Sequence, residues 1–336
     1  MLIASAHNDI LVFLIQVFVL LLFARVFGEL FQRFGQPTVV GEILAGIILG
    51  PSLLGSLPFL SDFIVTKNQT GTNLLDVVSL IGAMLLLLIT GLETDLALIK
   101  HHSRNAFATA IGGLILPLIL GFGFAYFLPD SLLVDPSKKI IFSLFIATAI
   151  SVSAIPVIAK VLIDLNLIRR DIGQITIAAG MIDDTAAWIL LSIVLGLIEV
   201  GIVTAENVFI SVGKVLAFLG ISFFAGKWIA AKLVNFAKDK IQSRYKFLTI
   251  LILFSIGLGA IAQSLRLEAV LGAFVAGIIF SRIPSIPKEA IERIESITFG
   301  IFAPIFFAAA GLKVNLAPLL NPELLFIGVG FILIAT

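Results

Sequence analysis

Long apolar runs separated by short polar stretches dominate the chain. Eleven such runs fall near residues 10–32, 38–54, 75–98, 105–128, 140–162, 173–199, 207–231, 247–264, 267–281, 297–312 and 323–336. At 1.5 Å per residue, about 20 residues are needed for a helix to cross a bilayer core. The pattern therefore predicts an all-α, polytopic membrane protein with eleven candidate spans. The last run holds 14 residues, too few to cross, and reads as a span cut in mid-helix.

The sixth run contains two adjacent acids, Asp183 and Asp184, inside Ala178-Ala-Gly-Met-Ile-Asp-Asp-Thr-Ala-Ala-Trp188. They lie roughly 15 Å into the run, near the expected midplane. A charge at that depth costs at least ~2.5–3.5 kcal/mol on insertion scales. No Lys or Arg occurs between Arg170 and Lys214 to offset it. Intramembrane acids face a cavity, a cation or protons far more often than they serve a purely structural role. The structural alternative is a pair that caps a neighbouring broken helix.

The fifth run carries Ile146-Ala-Thr-Ala-Ile-Ser-Val-Ser-Ala-Ile-Pro-Val157. Pro156 removes an amide donor and interrupts the helical ladder, which frees carbonyls. Thr148, Ser151 and Ser153 add hydroxyl oxygens beside them. Such oxygens are hard ligands suited to an alkali cation. The alternative is a proline kink whose serines bond back to their own helix.

Charge adds an orientation. Loops after odd-numbered runs hold thirteen Lys and Arg residues, the densest segment being Lys232 to Lys246, against five after even-numbered runs. The positive-inside rule then places the N-terminus outside. The Lys232–Lys246 segment reads as a cytoplasmic loop, with an anionic-lipid contact as the alternative. Glu42 falls at the cytoplasmic edge of the second run, where a snorkelling or paired acid is expected. Arg25 and Glu29 have the i,i+4 spacing of a structural pair.

With 60% hydrophobic and 13% charged residues, the chain lies far from soluble composition. Its net charge of +1 carries no signal for nucleic acid. The absence of cysteine excludes disulfides and thiolate chemistry, and the three histidines, His7, His101 and His102, fall near span ends rather than in a buried metal site. Residues 1–9 lack a basic n-region, so the first run reads as an uncleaved span.

Two echoes point to an internal repeat. Gly41-Glu-Ile-Leu-Ala-Gly-Ile-Ile-Leu-Gly50 resembles Gly272-Ala-Phe-Val-Ala-Gly-Ile-Ile-Phe-Ser281, and Gly91-Leu-Glu-Thr-Asp-Leu-Ala97 resembles Gly311-Leu-Lys-Val-Asn-Leu-Ala317. The first echo pairs an even span with an odd one, so the halves are inverted, as in many secondary transporters. Residues 1–199 then form the first repeat with spans 1–6. Residues 200–245 hold linker span 7 and a cytoplasmic loop. Residues 246–336 form an incomplete second repeat with spans 8–11.

These motifs resemble the monovalent cation:proton antiporters, family 2, which share the sodium/proton antiporter fold. The resemblance rests on Gly35-Gln-Pro-Thr-Val-Val-Gly-Glu-Ile-Leu-Ala-Gly-Ile-Ile-Leu-Gly-Pro-Ser-Leu-Leu-Gly55, Leu86-Leu-Leu-Ile-Thr-Gly-Leu-Glu-Thr-Asp95, the Ser/Pro stretch of span 5, Ile182-Asp-Asp184 and Leu271-Gly-Ala-Phe-Val-Ala-Gly277. It implies thirteen spans, a homodimer, a core built on spans 4–6, and two crossing broken helices. It also implies that Asp184 is the essential ion-binding carboxylate, Asp183 the preceding acid, and Ser153 a position on the first broken helix. A lysine partner for Asp183 and the second broken helix are expected beyond residue 336; Lys313 is not that lysine.

The resulting expectation is exchange of a monovalent cation for protons by alternating access. Na⁺ is favoured, with Li⁺ possible on the same grounds and K⁺/H⁺ exchange or potassium efflux as the alternative. Asp183 and Asp184 would form the shared cation and proton site, with Thr148, Ser151 and Ser153 as further oxygens and no cofactor. The setting would be a bacterial cell membrane or a related internal one, serving pH homeostasis. A cation channel could use the same oxygens, but the inverted repeat favours alternating access. A sodium-coupled symporter is a remote alternative. An intramembrane aspartyl protease needs its acids on different helices, whereas these are neighbours.

Overall fold

The computed structural model describes residues 2–56, 69–94, 103–133, 135–200, 205–265 and 267–335. Among these residues every regular element is helical. In chain order the helices are α1 (Leu2–Arg33), α2 (Thr38–Leu49), α3 (Gln69–Glu93), α4 (Ser103–Tyr126), α5 (Lys139–Ser151), α6 (Ile155–Asp164) and α7 (Asp171–Val200). There follow α8 (Ala205–Ile221), α9 (Lys227–Lys240), α10 (Lys246–Ser264), α11 (Ala269–Ser281), α12 (Lys288–Ile297), α13 (Ala303–Leu312) and α14 (Pro322–Ala335). π-helical turns at Ser222–Gly226 and Thr298–Phe302 join α8 to α9 and α12 to α13. Among the described residues, seven helical segments are long and apolar enough to cross a membrane, and three shorter apolar helices occupy Thr38–Leu49, Ala269–Ser281 and Pro322–Ala335. This is an integral, multi-pass membrane protein.

Several boundaries differ from the apolar runs. The run at 38–54 yields only the 12-residue α2, about 18 Å long, because Gly50-Pro51 ends it with Gly50 extended. The basic segment expected as a loop begins inside α9, which continues to Lys240. Ala230, Val234 and Ala237 form a buried stripe there at helical spacing, so the helix outlasts its apolar run. Glu29 pairs with Arg33 at 3.4 Å, one turn on from the expected Arg25.

The chain forms two compact units. The first comprises residues 1–93, 159–167 and 224–317; the second comprises 94–158, 168–223 and 318–336. In the first unit, α11 is buried nearly all round, with Ala273, Phe274, Val275, Ala276 and Ile278 fully enclosed. Leu86, Leu87, Leu88 and Ile89 of α3 are equally enclosed. This explains why α11 is apolar on every side instead of striped.

Close backbone crossings hold the first unit together. A Cβ at Gly46 would collide with the Ala308 carbonyl of α13, and one at Gly311 with the Ile43 carbonyl of α2. In the same way Gly91 of α3 meets Phe274 and Gly277 of α11, and Gly277 meets Leu88 and Gly91. Gly41 lies on Phe27 and Gly28 of α1, while Gly272 lies on Leu258 and Gly259 of α10. Small residues allow membrane helices this approach, which replaces the hydrophobic drive that lipid cannot supply.

In the second unit α5 packs on α4 and α7, and α14 packs on α4. Ala147 Cα lies 3.3 Å from where a Cβ on Gly121 would sit, and Phe124 meets Phe331 edge-on at 5.0 Å between ring centres.

These crossings predict the order of glycine substitutions. Gly277→Ala must part α3 from α11, costing about 1–3 kcal/mol. Gly257→Ala on α10 meets open space and should stabilise by up to about 1 kcal/mol through helix propensity. Thermal unfolding of the two purified variants in one detergent checks this; equal midpoints would refute the close crossing.

Candidate cation site

The fifth apolar run is two half-helices, α5 and α6, separated by Val152, Ser153 and Ala154. The gap opens ahead of Pro156, not at it. Pro156 is the second residue of α6, where its fixed φ suits a helix start and its missing amide costs no ladder bond. Val152 is extended (φ −85°, ψ 128°). The break leaves the last carbonyls of α5 and the first amides of α6 without intrahelical partners. Those termini carry opposite partial charges.

The hydroxyls beside the gap are partly committed. Thr148 Oγ1 donates to the Leu144 carbonyl at 2.8 Å, and Ser151 Oγ to the Thr148 carbonyl at 3.1 Å. Both residues are buried. The back-bonding alternative thus holds for their protons, while each oxygen keeps lone pairs for a cation. Ser153 lies in the gap itself and is half-buried.

Asp183 sits twelve residues into α7, about 18 Å along it. It is 6% exposed, and its Oδ1 is buried with no hydrogen-bond partner among the described residues. Among the described residues Asp183 has no salt-bridge partner. Gly180, one turn earlier, brings α7 to the break: a Cβ there would lie 3.3 Å from Ile155 Cγ1. Gly180 and Asp183 share a face by their i,i+3 spacing. The backbone of Asp184 belongs to α7, but its side chain lies outside the described residues. No group of three His, Cys, Asp or Glu side chains able to hold a metal occurs among the described residues. The donor set is carboxylate, hydroxyl and carbonyl oxygen, hard ligands suited to a hard cation.

A second polar cluster, outside the candidates read from the sequence, lies at the start of α2. Lys160 of α6 donates to Asp164 Oδ1 at 2.6 Å and to Thr38 Oγ1 at 2.8 Å. Thr38 donates its backbone amide and its hydroxyl to Asp164 Oδ2 at 2.9 and 2.7 Å. Lys160 is 5% exposed and Glu42 only 1%, with Glu42 Oε2 buried and unpartnered among the described residues. Glu42 is therefore not the snorkelling edge acid its position suggested. The available sequence signal was Lys160 and Asp164 at i,i+4 near the end of an apolar run.

An interrupted membrane helix packed against a helix bearing a buried acid is an arrangement found in ion-coupled membrane transporters. Residues 17–336 match the family described as sodium/hydrogen exchanger, transmembrane. The chain belongs to that family of cation/proton antiporters. Its relatives include the Na(+)/H(+) antiporter NhaS4 of Synechocystis, 31% identical over 327 residues, covering 94% of this chain and 77% of that protein. Cation/H(+) antiporter 17 of Arabidopsis thaliana is 32% identical over 308 residues, 90% of this chain and 37% of its own length. K(+)/H(+) antiporter 1 of Saccharomyces cerevisiae is 32% identical over 329 residues, 94% of this chain and 37% of its own. The chain thus spans little more than a third of the plant and yeast relatives.

The Gly180 contact yields a test. Gly180→Val should push Ile155 and displace the start of α6. The cation concentration that half-saturates thermal stabilisation should rise about fivefold or more, equivalent to ~1 kcal/mol, with the folded yield unchanged. An unchanged value would remove this contact from the site.

Proposed function

We propose that the protein exchanges Na⁺, with Li⁺ as a second substrate, for protons across a membrane. The observation that carries this reading is the buried Asp183 carboxylate, unpartnered at Oδ1, beside Asp184 on a helix packed against the α5–α6 break. Asp184 and Asp183 form the shared site, and Ser153, Ser151, Thr148 and the carbonyls freed ahead of Pro156 complete it. A deprotonated pair attracts a cation, and protonation releases it. Presenting the site to one membrane face at a time converts that competition into exchange.

Na⁺ is favoured by the Asp-Asp pair and by the name of the Synechocystis relative. K⁺/H⁺ exchange is the second reading, favoured by the yeast relative's name. The inverted repeat joins this proposal because the echoed glycines exchange partners: Gly46 meets Gly311, and Gly277 meets Gly91. The loop charges support an outside N-terminus. A homodimer, a bacterial or related internal membrane and a part in pH homeostasis complete the reading, with α1's exposed Leu14, Phe18 and Val26 facing lipid or a second copy.

In proteoliposomes carrying a pH-sensitive dye, Asp184→Asn in the full-length protein should abolish Na⁺-driven proton movement while folding is retained. Wild-type rates in a well-inserted Asn variant would sink the assignment. Ser153→Ala should raise the half-saturating Na⁺ concentration more than it lowers the maximal rate; an unchanged value would leave the serine structural. K⁺ driving faster proton movement than Na⁺ would favour the second reading.

A further inference from the structure

The polar cluster at the start of α2 has one group too many. Pro37 occupies the N-cap position of α2 and supplies no side-chain bond. Asp164, 126 residues away, supplies the cap by accepting from the Thr38 amide. Lys160 neutralises Asp164 and also holds Thr38. The ring of Phe299 lies 5.2 Å from the Lys160 ammonium, which screens it from water. These three residues satisfy one another without Glu42.

Glu42 is nonetheless buried one turn along α2 from Thr38, its Oε2 unpartnered. Its side chain packs over Gly28 of α1, where a Cβ would lie 3.4 Å from Glu42 Cγ. Lys160, Asp164 and Arg25 are the charged groups near enough to bear on it. Neighbours at i,i+4 on a helix are about 5–6 Å apart, within the swing of a lysine stem anchored one turn away. A buried carboxylate oxygen with no hydrogen bond among the described residues is costly in a fixed structure. It becomes useful if its partner arrives in another state.

We propose that Lys160 alternates between two carboxylates, Asp164 as seen here and Glu42 one helical turn further along α2, as α6 shifts during transport. One-turn steps of one helix past another are an established form of two-state packing change. Lys160, Asp164 and Glu42 are then positioning residues. They set which of two placements of α6 is occupied, and α6 begins at the break that lines the cation site. They do not touch the cation. The inference rests on the exchange reading, which wild-type transport tests separately.

The test compares Glu42→Gln, Asp164→Asn and the double variant in the full-length protein, reconstituted and also unfolded thermally in detergent. Glu42→Gln keeps the shape and removes the second acceptor. Its maximal exchange rate should fall at least tenfold while the half-saturating cation concentration changes less than twofold. Its thermal midpoint should match or exceed the wild type's, since no bond to Oε2 is lost. The double variant, with both placements weakened, should exchange faster than the slower single variant. A wild-type rate in Glu42→Gln overturns the proposal. So does a lowered midpoint, because the carboxylate would then already be held in this state. A double variant whose rate is the product of the two single effects also overturns it. Failure of the wild type to exchange would instead overturn the exchange reading.

Discussion

Placing a carboxylate inside an apolar helix is the constraint on which the other features depend. Insertion scales put the cost of one such charge at several kcal/mol, and α7 contains no lysine or arginine to reduce it. Among the described residues no hydrogen bond to Oδ1 rescues Asp183 either. A group in that position is stabilised by taking up either a proton or a cation. An exchanger needs such a group, because a carboxylate satisfied by a permanent partner has nothing left to exchange.

In the proposed exchange the broken helix answers the other half of the problem. A cation leaving water needs several oxygens, and an intact helix has spent its carbonyls on its own ladder. Three residues of non-helical chain at Val152–Ala154 release some of them without unfolding the span. Pro156 then makes the restart of the helix inexpensive. Glycine at 180 lets α7 approach the restart, so the lack of a side chain at one position brings the acid's helix close to the gap. The chain passes from the second compact unit to the first within α6, and there Lys160 and Asp164 fasten that helix to the start of α2.

The apolar runs made the helices and their order legible, because the bilayer demands long uninterrupted apolar stretches. The glycines of the two echoes were legible as repeated positions, and Gly46, Gly91, Gly277 and Gly311 prove to be among the closest backbone crossings of the first unit. Pro156 signalled the break but not its position, since a proline is accommodated at a helix start better than in the gap itself. The continuation of α9 was present as the Ala230, Val234 and Ala237 stripe, masked by the lysines between. The burial of Glu42 was illegible, because its depth along the chain looked like an edge and only tertiary packing over Gly28 encloses it. The Asp164 cap on Thr38 joins residues 126 apart, and no local pattern encodes such a partnership.

In the proposed exchange, cation and proton compete for one carboxylate site. Calorimetric titration of the purified full-length protein with Na⁺, repeated in buffers of different ionisation heat, tests it most directly. If the site is shared, cation binding displaces protons, and the measured heat varies linearly with the buffer's ionisation heat. That dependence should grow as the pH is lowered into the range where the site is protonated, and Asp184→Asn should remove it. Na⁺ binding with a heat independent of the buffer at every pH would mean that the cation and proton occupy separate places, contradicting the account.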